Sequence, residues 1–406
     1  MSRAPTSAAS PAPPLPRTVW ALGVVSLLMD ASSETIHALL PLFLTTTLGA
    51  SVALVGIIDG VAEATAAIVK VFSGYLSDRL GRRKPLIVLG YGLGAVAKPL
   101  FPLAHGALLI LEARLLDRIG KGLRGAPRDA LIADVTPLAQ RGRAYGLRQA
   151  LDTTGAFIGP LLAIALLQLV TDDLRMVFWL AVIPAVLAVG CVFFWVEDHA
   201  ADAAASTAPR PPICWRDLGT LDSAYWGVVA LGVVFTLARF SEAFLILKAN
   251  ASGLALAWAP LVLVVMNGVY ATAAYPAGVI ADRAGTRGLL LCGLAALIAA
   301  DSVFAATASL IGAFIGIALW GLHMALTQGV LAKLIAEHAP MALRGSAFGV
   351  FNLLCGVALL VASVLAGVLW DFYGPPATFV AGAGFGALAA LLLFVQRAAP
   401  ATAVTA

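Results

Sequence analysis

The residues of this chain best placed to do chemistry lie between Glu112 and Pro137, where Arg114, Asp117, Arg118, Lys121, Arg124, Arg128 and Asp129 interrupt an apolar run. At 100° per residue of an α-helix they fall within an arc of roughly 140°. A charge facing hydrocarbon costs roughly 2.5–3.5 kcal/mol on insertion scales, so the stripe must face a wet cavity or opposite charges. Partner acids are at hand. Asp30 and Glu34 are four residues apart, with His37 on the same face, and Asp59, Glu63 and Lys70 share a narrow arc further on. Arg148 and Asp152 repeat the i,i+4 pattern, and Arg239 and Glu242 are three apart. A desolvated carboxylate beside a cation changes protonation when its access to water changes. The chemistry expected is therefore proton exchange linked to ion recognition. Asp30 and Glu34 are its first candidates, with Arg118 as the competing cation, and Asp59 and Glu63 its second. His37 and His323 read as hydrogen-bonding cavity walls, and Asp301 as a solvated acid near a helix end.

The elements that must position these groups follow from composition. The chain has 406 residues, 61% hydrophobic and 12% charged, with a mean hydropathy of +0.94. Soluble domains carry about 25% charged residues, so the chain is an integral membrane protein. Its Lys and Arg residues do not cluster on one soluble face, which argues against nucleic acid as a partner. Four scattered cysteines lack metal or redox spacing. No nucleophile–base pair, nucleotide loop or metal-ligand set is present, so no cofactor, metal or enzymatic role is expected.

A helical crossing needs about 20 residues. The apolar segments then give twelve spans, at 18–47, 51–77, 85–104, 107–134, 144–169, 175–196, 223–249, 254–280, 288–308, 311–336, 345–370 and 376–396. The expected organisation is a disordered tail (1–17), a six-helix bundle (18–196), a Pro/Ala-rich linker (197–222), a second six-helix bundle (223–396) and a short tail (397–406). Arg79, Arg82, Arg83, Lys84, Arg141, Arg143, Arg210, Arg216, Arg283, Arg287, Arg344 and Arg397 all collect on one side. The positive-inside rule makes that side, with the linker and both termini, cytoplasmic.

The halves repeat. GYLSDRLGRR (74–83) aligns with GVIADRAGTR (278–287), and RGRAYG (141–146) with RGSAFG (344–349), at nearly one offset. Parallel repeats of this kind imply two bundles related by an axis along the membrane normal, with a site between them at mid-depth. On these residues the chain resembles a twelve-span carrier of the major facilitator superfamily. Gly74, Asp78, Arg79, Gly81, Arg82 and Arg83 carry the 2–3 loop pattern of that family, repeated at Asp282 and Arg283. The resemblance implies a latch in which Asp78 engages the eleventh span and Arg82 pairs with an acid ending the fourth, here Asp134; Arg83 and Lys84 then serve topology.

Gly146, Gly155, Gly159 and Pro160 resemble the fifth-span spacing of the drug:proton antiporter branch, although Ala163 and Ile164 stand where a Gly pair belongs. Arg118, Gly122 and Ala126 match that branch's fourth-span pattern, with Lys121 and Arg124 replacing Gln and Gly. Read as a packing face, the glycines say nothing of direction.

The resemblance implies an all-α membrane fold of two six-helix bundles related by a pseudo-two-fold. It implies a monomeric secondary carrier in the inner membrane, exporting a small organic solute against protons. Its coupling and cavity residues would be Asp30, Glu34, Asp59, Glu63, Arg114, Asp117, Arg118, Lys121, Arg124, Arg239 and Glu242. The basic fourth span favours an alternative, a proton symporter importing an organic anion. A membrane-embedded enzyme or receptor is the remaining rival.

Overall fold

The computed structural model describes residues 14–80, 82–137, 140–197, 219, 221–284, 286–339 and 344–395. Among them, every regular element is helical. Twelve spans follow in order. The first six are α1 (Arg17–Thr47), α2 (Val52–Leu80), α3 (Lys84–Leu103), α4 (Ala107–Val135), α5 (Arg141–Leu169) and α6 (Leu174–Trp195). The second six are α7 (Ser223–Ala251), α8 (Leu261–Ala284), α9 (Thr286–Ala306), α10 (Leu310–His338), α11 (Arg344–Tyr373) and α12 (Pro375–Val395). Eleven of them are long and apolar enough to cross a membrane; α4 has the length, 29 residues, but carries the charge stripe.

Three spans are interrupted. α1 loosens after His37 and ends in a wide turn over Phe43–Thr47. α3 breaks at Lys98–Pro99, where proline withholds a backbone N–H. α7 breaks between Ala238 and Ala243, with Arg239 leaving helical geometry at φ −115°, ψ 87°. That last break contradicts the expectation that Arg239 and Glu242 sit one turn apart on a continuous helix.

The hydrophobic core shows how the two halves meet. One cluster joins Ile36, Phe43 and Phe178 of the first half to Phe240, Phe244, Trp320 and Phe379 of the second. At the opposite end, the side of Arg17 and Lys84, the apolar packing splits. Leu22, Met29, Tyr91 and Ile132 form a core within the first half, and Phe235, Leu290 and Leu294 another within the second. The halves are thus closed together at one end and parted at the other. Along the seam α2 runs against α11, and Gly60 permits it: a Cβ there would sit 2.9 Å from the Leu360 Cα. At the closed end Asp371 of α11 accepts the backbone N–H groups of Val52 (3.1 Å) and Ala53 (2.8 Å), capping α2 from across the seam.

Candidate functional site: a charged cavity between the halves

Where the halves part, they enclose a cavity of about 220 Å³. The first half lines it with Glu34 and His37 (α1), Asp59 and Glu63 (α2), and Arg114, Arg118 and Lys121 (α4). The second half supplies the α7 break, Arg239 to Glu242, with Leu359 and Ser363 of α11. The α4 stripe is pre-set by helix phase, with Arg114, Arg118 and Lys121 on the cavity side of the arc. Asp117, Arg124 and Arg128 occupy its other side and turn away.

On the cavity side the charges are tightly paired. Arg114 donates through Nη2 to Asp59 Oδ1 at 2.7 Å and lies 3.8 Å from Glu63. Arg118 reaches Glu63 at 3.3 Å. Both guanidiniums are buried, at 3% side-chain exposure, whereas Glu63 keeps 35%. Burying a charge in this way is tolerable only because an opposite charge meets it. The other oxygen of Asp59 accepts the hydroxyl of Ser241 at 2.8 Å, across the seam. Ser241 is itself held by its backbone N–H on Ser363 Oγ at 3.2 Å. Glu34 faces His37 at 3.4 Å. Lys121 is exposed to the cavity. Arg239 and Glu242 line it with no opposite charge within ion-pair distance among the described residues.

Away from the cavity a second network ties α1, α3, α4 and α5 together. Lys98 at the α3 break, 1% exposed, meets Asp117 at 2.8 Å and Ser33 at 2.8 Å. Arg124 stacks over the Tyr91 ring, 4.6 Å from its centroid. Arg128 donates to Ser26 at 2.8 Å and approaches Asp129 (3.3 Å) and Asp152 (3.5 Å). Asp30 is not a cavity residue. Its carboxyl lies close to that of Asp152, with Lys121 and Arg124 nearby. Glycine makes this meeting possible. A Cβ on Gly155 would lie 2.8 Å from Leu27 Cα, and one on Gly159 2.7 Å from Glu34 Cβ, so only glycine lets α5 approach α1 so closely.

Several sequence expectations need correcting. Asp117 and Arg124 serve the second network, not the cavity. Arg118 engages Glu63 in place of Asp30 and Glu34. Gly146 meets nothing within 4 Å and is no packing contact. Asp134 pairs with Arg83 at 3.3 Å, while Arg82 and Arg79 are exposed. Arg83 also donates to Ser77 at 2.8 Å, so its position at the start of α3 turns it back toward α2 and α4. Lys84 binds the Phe193 carbonyl at 3.2 Å. Gly81 and the side chains of Asp78, Asp282 and Arg283 lie outside the described residues. Asp301 is fully buried, and among the described residues neither of its oxygens has a hydrogen-bond partner.

Sequence reasoning passed over Lys98, Ser241 and Ser363. Lys98 had a signal, a lone cation inside an apolar span. The two serines had none, since their roles depend on the α7 break and on which helices meet. In the second half, His323 is buried with Nδ1 on the Gly293 carbonyl at 2.8 Å and stacks on Phe235. With Thr327, Gln328 and Asn352 it lines a second cavity of about 310 Å³ that borders Arg239.

Comparison with known proteins agrees with this architecture. The sequence profile of the Major Facilitator Superfamily matches residues 22–362 and 250–406. An uncharacterised MFS-type transporter of Methanocaldococcus jannaschii is 29% identical over 389 residues, covering 93% of this chain and 94% of that one. The multidrug resistance protein MdtH of Yersinia enterocolitica is 34% identical over 143 residues, 35% of either chain. Among solved structures, a bacterial homologue of the human lysosomal transporter Spinster, inward-facing and unoccupied, superposes with a TM-score of 0.75. It is 16% identical, and the match covers 93% of this chain and 95% of that one.

Proposed function

Because the chain belongs to the major facilitator superfamily and is a secondary transporter, we propose that it exports a small organic solute in exchange for protons. It would act as a monomer in the cytoplasmic membrane, with both termini inside. The observation that carries this reading is the Arg114–Asp59 and Arg118–Glu63 pairing on the wall of a cavity open at one end. The positive-inside distribution supports a cytoplasmic open end.

Each pair is a competition. A proton on Asp59 or Glu63 removes the negative charge that the carboxylate offers to its arginine or to a cationic group of the solute. A cationic solute that takes the carboxylate in turn displaces the proton. Proton and solute therefore exclude each other at one pair of carboxylates, which is the physical requirement of exchange. The close seating of α5 on α1 through Gly155 and Gly159, which brings Asp152 to Asp30, adds a second carboxyl site where a proton can reside. The partial likeness to MdtH, a multidrug resistance protein, supports the outward direction.

Import of an organic anion with protons is the second reading, favoured by Lys121 and Arg239, cavity cations without an acid within ion-pair distance among the described residues. Inside-out vesicles with an acidified lumen distinguish the two. Export by exchange predicts that adding solute to the medium makes the lumen more alkaline. Solute-driven movement of protons into the lumen overturns it.

A further inference from the structure

The second half holds a polar group that the cavity chemistry does not use. Asp301, in the last third of α9, is 0% exposed, and among the described residues neither carboxyl oxygen has a hydrogen-bond partner. The space it occupies exists because α12 has glycine opposite: a Cβ on Gly382 would fall 2.5 Å from Asp301 Oδ2 and 3.1 Å from Phe240 Cε1. Phe240 belongs to the α7 break and lines the central cavity. Its ring packs on Trp320 (5.3 Å) and Phe379 (5.6 Å), and the Trp320 indole N–H is a further buried polar group without a hydrogen-bond partner among the described residues. One aromatic side chain thus stands between the cavity and a buried carboxyl.

The surroundings decide what that carboxyl can bind. No charged side chain faces it among the described residues of α7, α8, α10 or α12. The buried titratable groups of α7 and α10 in this half are engaged elsewhere. Lys248 of α7 donates to the Thr307 carbonyl at 2.8 Å, and His323 of α10 sits on the Gly293 carbonyl. A hard metal cation requires a shell of oxygens, and phenylalanine rings and a glycine do not supply one. An isolated carboxylate here would be a buried, unpaired charge, which proteins avoid by neutralising the group.

We propose that Asp301 is a proton-binding site of the second half, occupied in this conformation and reached from the central cavity by displacement of Phe240. It is distinct from the arginine–carboxylate pairs and does not depend on the export reading. The neutral acid is tolerated while Phe240 is seated. When the halves rock and the α7 break moves, Phe240 uncovers the carboxyl to cavity water and the proton can leave as the O–H bond breaks. The second half then carries a proton step of its own.

Infrared difference spectroscopy on the purified full chain tests this without a transported solute. Asp301→Asn mimics the neutral acid and should fold normally. The wild type should show a protonated-carboxyl C=O band at neutral pH that is missing in Asp301→Asn and fades as the equilibration pH is raised. Trp320 fluorescence should follow the same transition in the wild type, a readout that survives if Asp301→Asn misfolds. Phe240→Ala should speed the deuterium shift of the band at least several-fold. Absence of an Asp301-dependent band, a band and fluorescence invariant with pH, or an exchange rate unchanged by Phe240→Ala would each overturn the proposal. Vesicle proton flux, the test of export, is read separately.

Discussion

Ser241 donates its hydroxyl to Asp59 at 2.8 Å, joining the break in α7 to the first third of α2 across the seam between the halves. The same carboxylate takes the Arg114 guanidinium on its other oxygen at 2.7 Å. One acid therefore holds a cation of its own half and a hydroxyl of the opposite half. Rocking of one half against the other would strain the second bond, whereas the first lies within one half.

Ser241→Ala removes that cross-seam bond without touching the ion pair. Hydrogen bonds to charged groups contribute roughly 1.5–3 kcal/mol, and about 1.4 kcal/mol is a factor of ten in population. The variant should move toward the oppositely open state by about tenfold, with its fold intact. Distances between spin labels on the closed ends of the two halves check this; an unchanged distribution would show that the bond is not part of the closure.

Asp59→Asn acts on the other side of the same acid. It leaves Arg114, 3% exposed, facing only Glu63 at 3.8 Å. Removing one partner of a buried pair costs roughly 3–5 kcal/mol, so the melting temperature in detergent should fall clearly. Asp59→Asn combined with Arg114→Gln should recover much of that loss, because no buried charge is then unmatched. Solute-coupled proton flux should stay lost in the double variant. Stability and coupling separate in this comparison.

The Lys98–Asp117 pair makes the opposite prediction. Both side chains are nearly buried, at 2% and 4% exposure, and neither lines the cavity. Lys98→Met alone should destabilise by about 3–5 kcal/mol. Lys98→Met with Asp117→Leu should restore the melting temperature and retain transport. If transport is lost in a fully stable double variant, the Lys98–Asp117 pair takes part in coupling.

These contrasts mark how far the sequence could be read. Apolar length and the one-sided loop cations suffice to find twelve spans, and α4 is found as a span even though charge sets it apart from the other eleven. Helix phase places Arg114, Arg118 and Lys121 on one face. It does not say which neighbouring helix each side of that face meets. Hence Asp117 and Arg124 were grouped with the cavity, and Asp134 with Arg82 where the structure uses Arg83. The α7 break at Arg239–Glu242 contains neither Pro nor Gly, so local composition carries no sign of it. With it the role of Ser241 was hidden. Asp301 was misread for a related reason: its burial comes from Phe240 and Gly382, each contributed by a distant stretch of chain.

Glycine spacing in α5 gives a further test. Gly155→Leu would drive a side chain into Leu27, and Gly159→Leu one into Ala31 and Glu34, forcing α5 off α1 and Asp152 away from Asp30. Overpacking of this kind costs roughly 1–3 kcal/mol. Proton-coupled flux should be lost along with some stability. Gly146→Leu, which meets open space, should preserve both. Equal effects at 146 and 155 would remove the packing explanation.

Asp371 caps the first turn of α2 from the far end of α11 through the Val52 and Ala53 N–H groups. A helix N-terminus has unpaired N–H donors and a favourable field for an anion. Losing a capping side chain typically costs about 1 kcal/mol, less here where the acid is exposed and screened by salt. Because the cap and the helix it caps belong to different halves, that energy is paid only while the closed end stays shut. Asp371→Ala should therefore raise the population open at that end several-fold, and Asp371→Asn, which retains an acceptor, by less. Reaction of a cysteine placed near Val52 with an impermeant maleimide measures it. The rate should rise in the order wild type, Asn, Ala, and high salt should narrow the gap between wild type and Asn. Equal rates in all three would mean that the cap stabilises α2 alone and plays no part in holding the halves together.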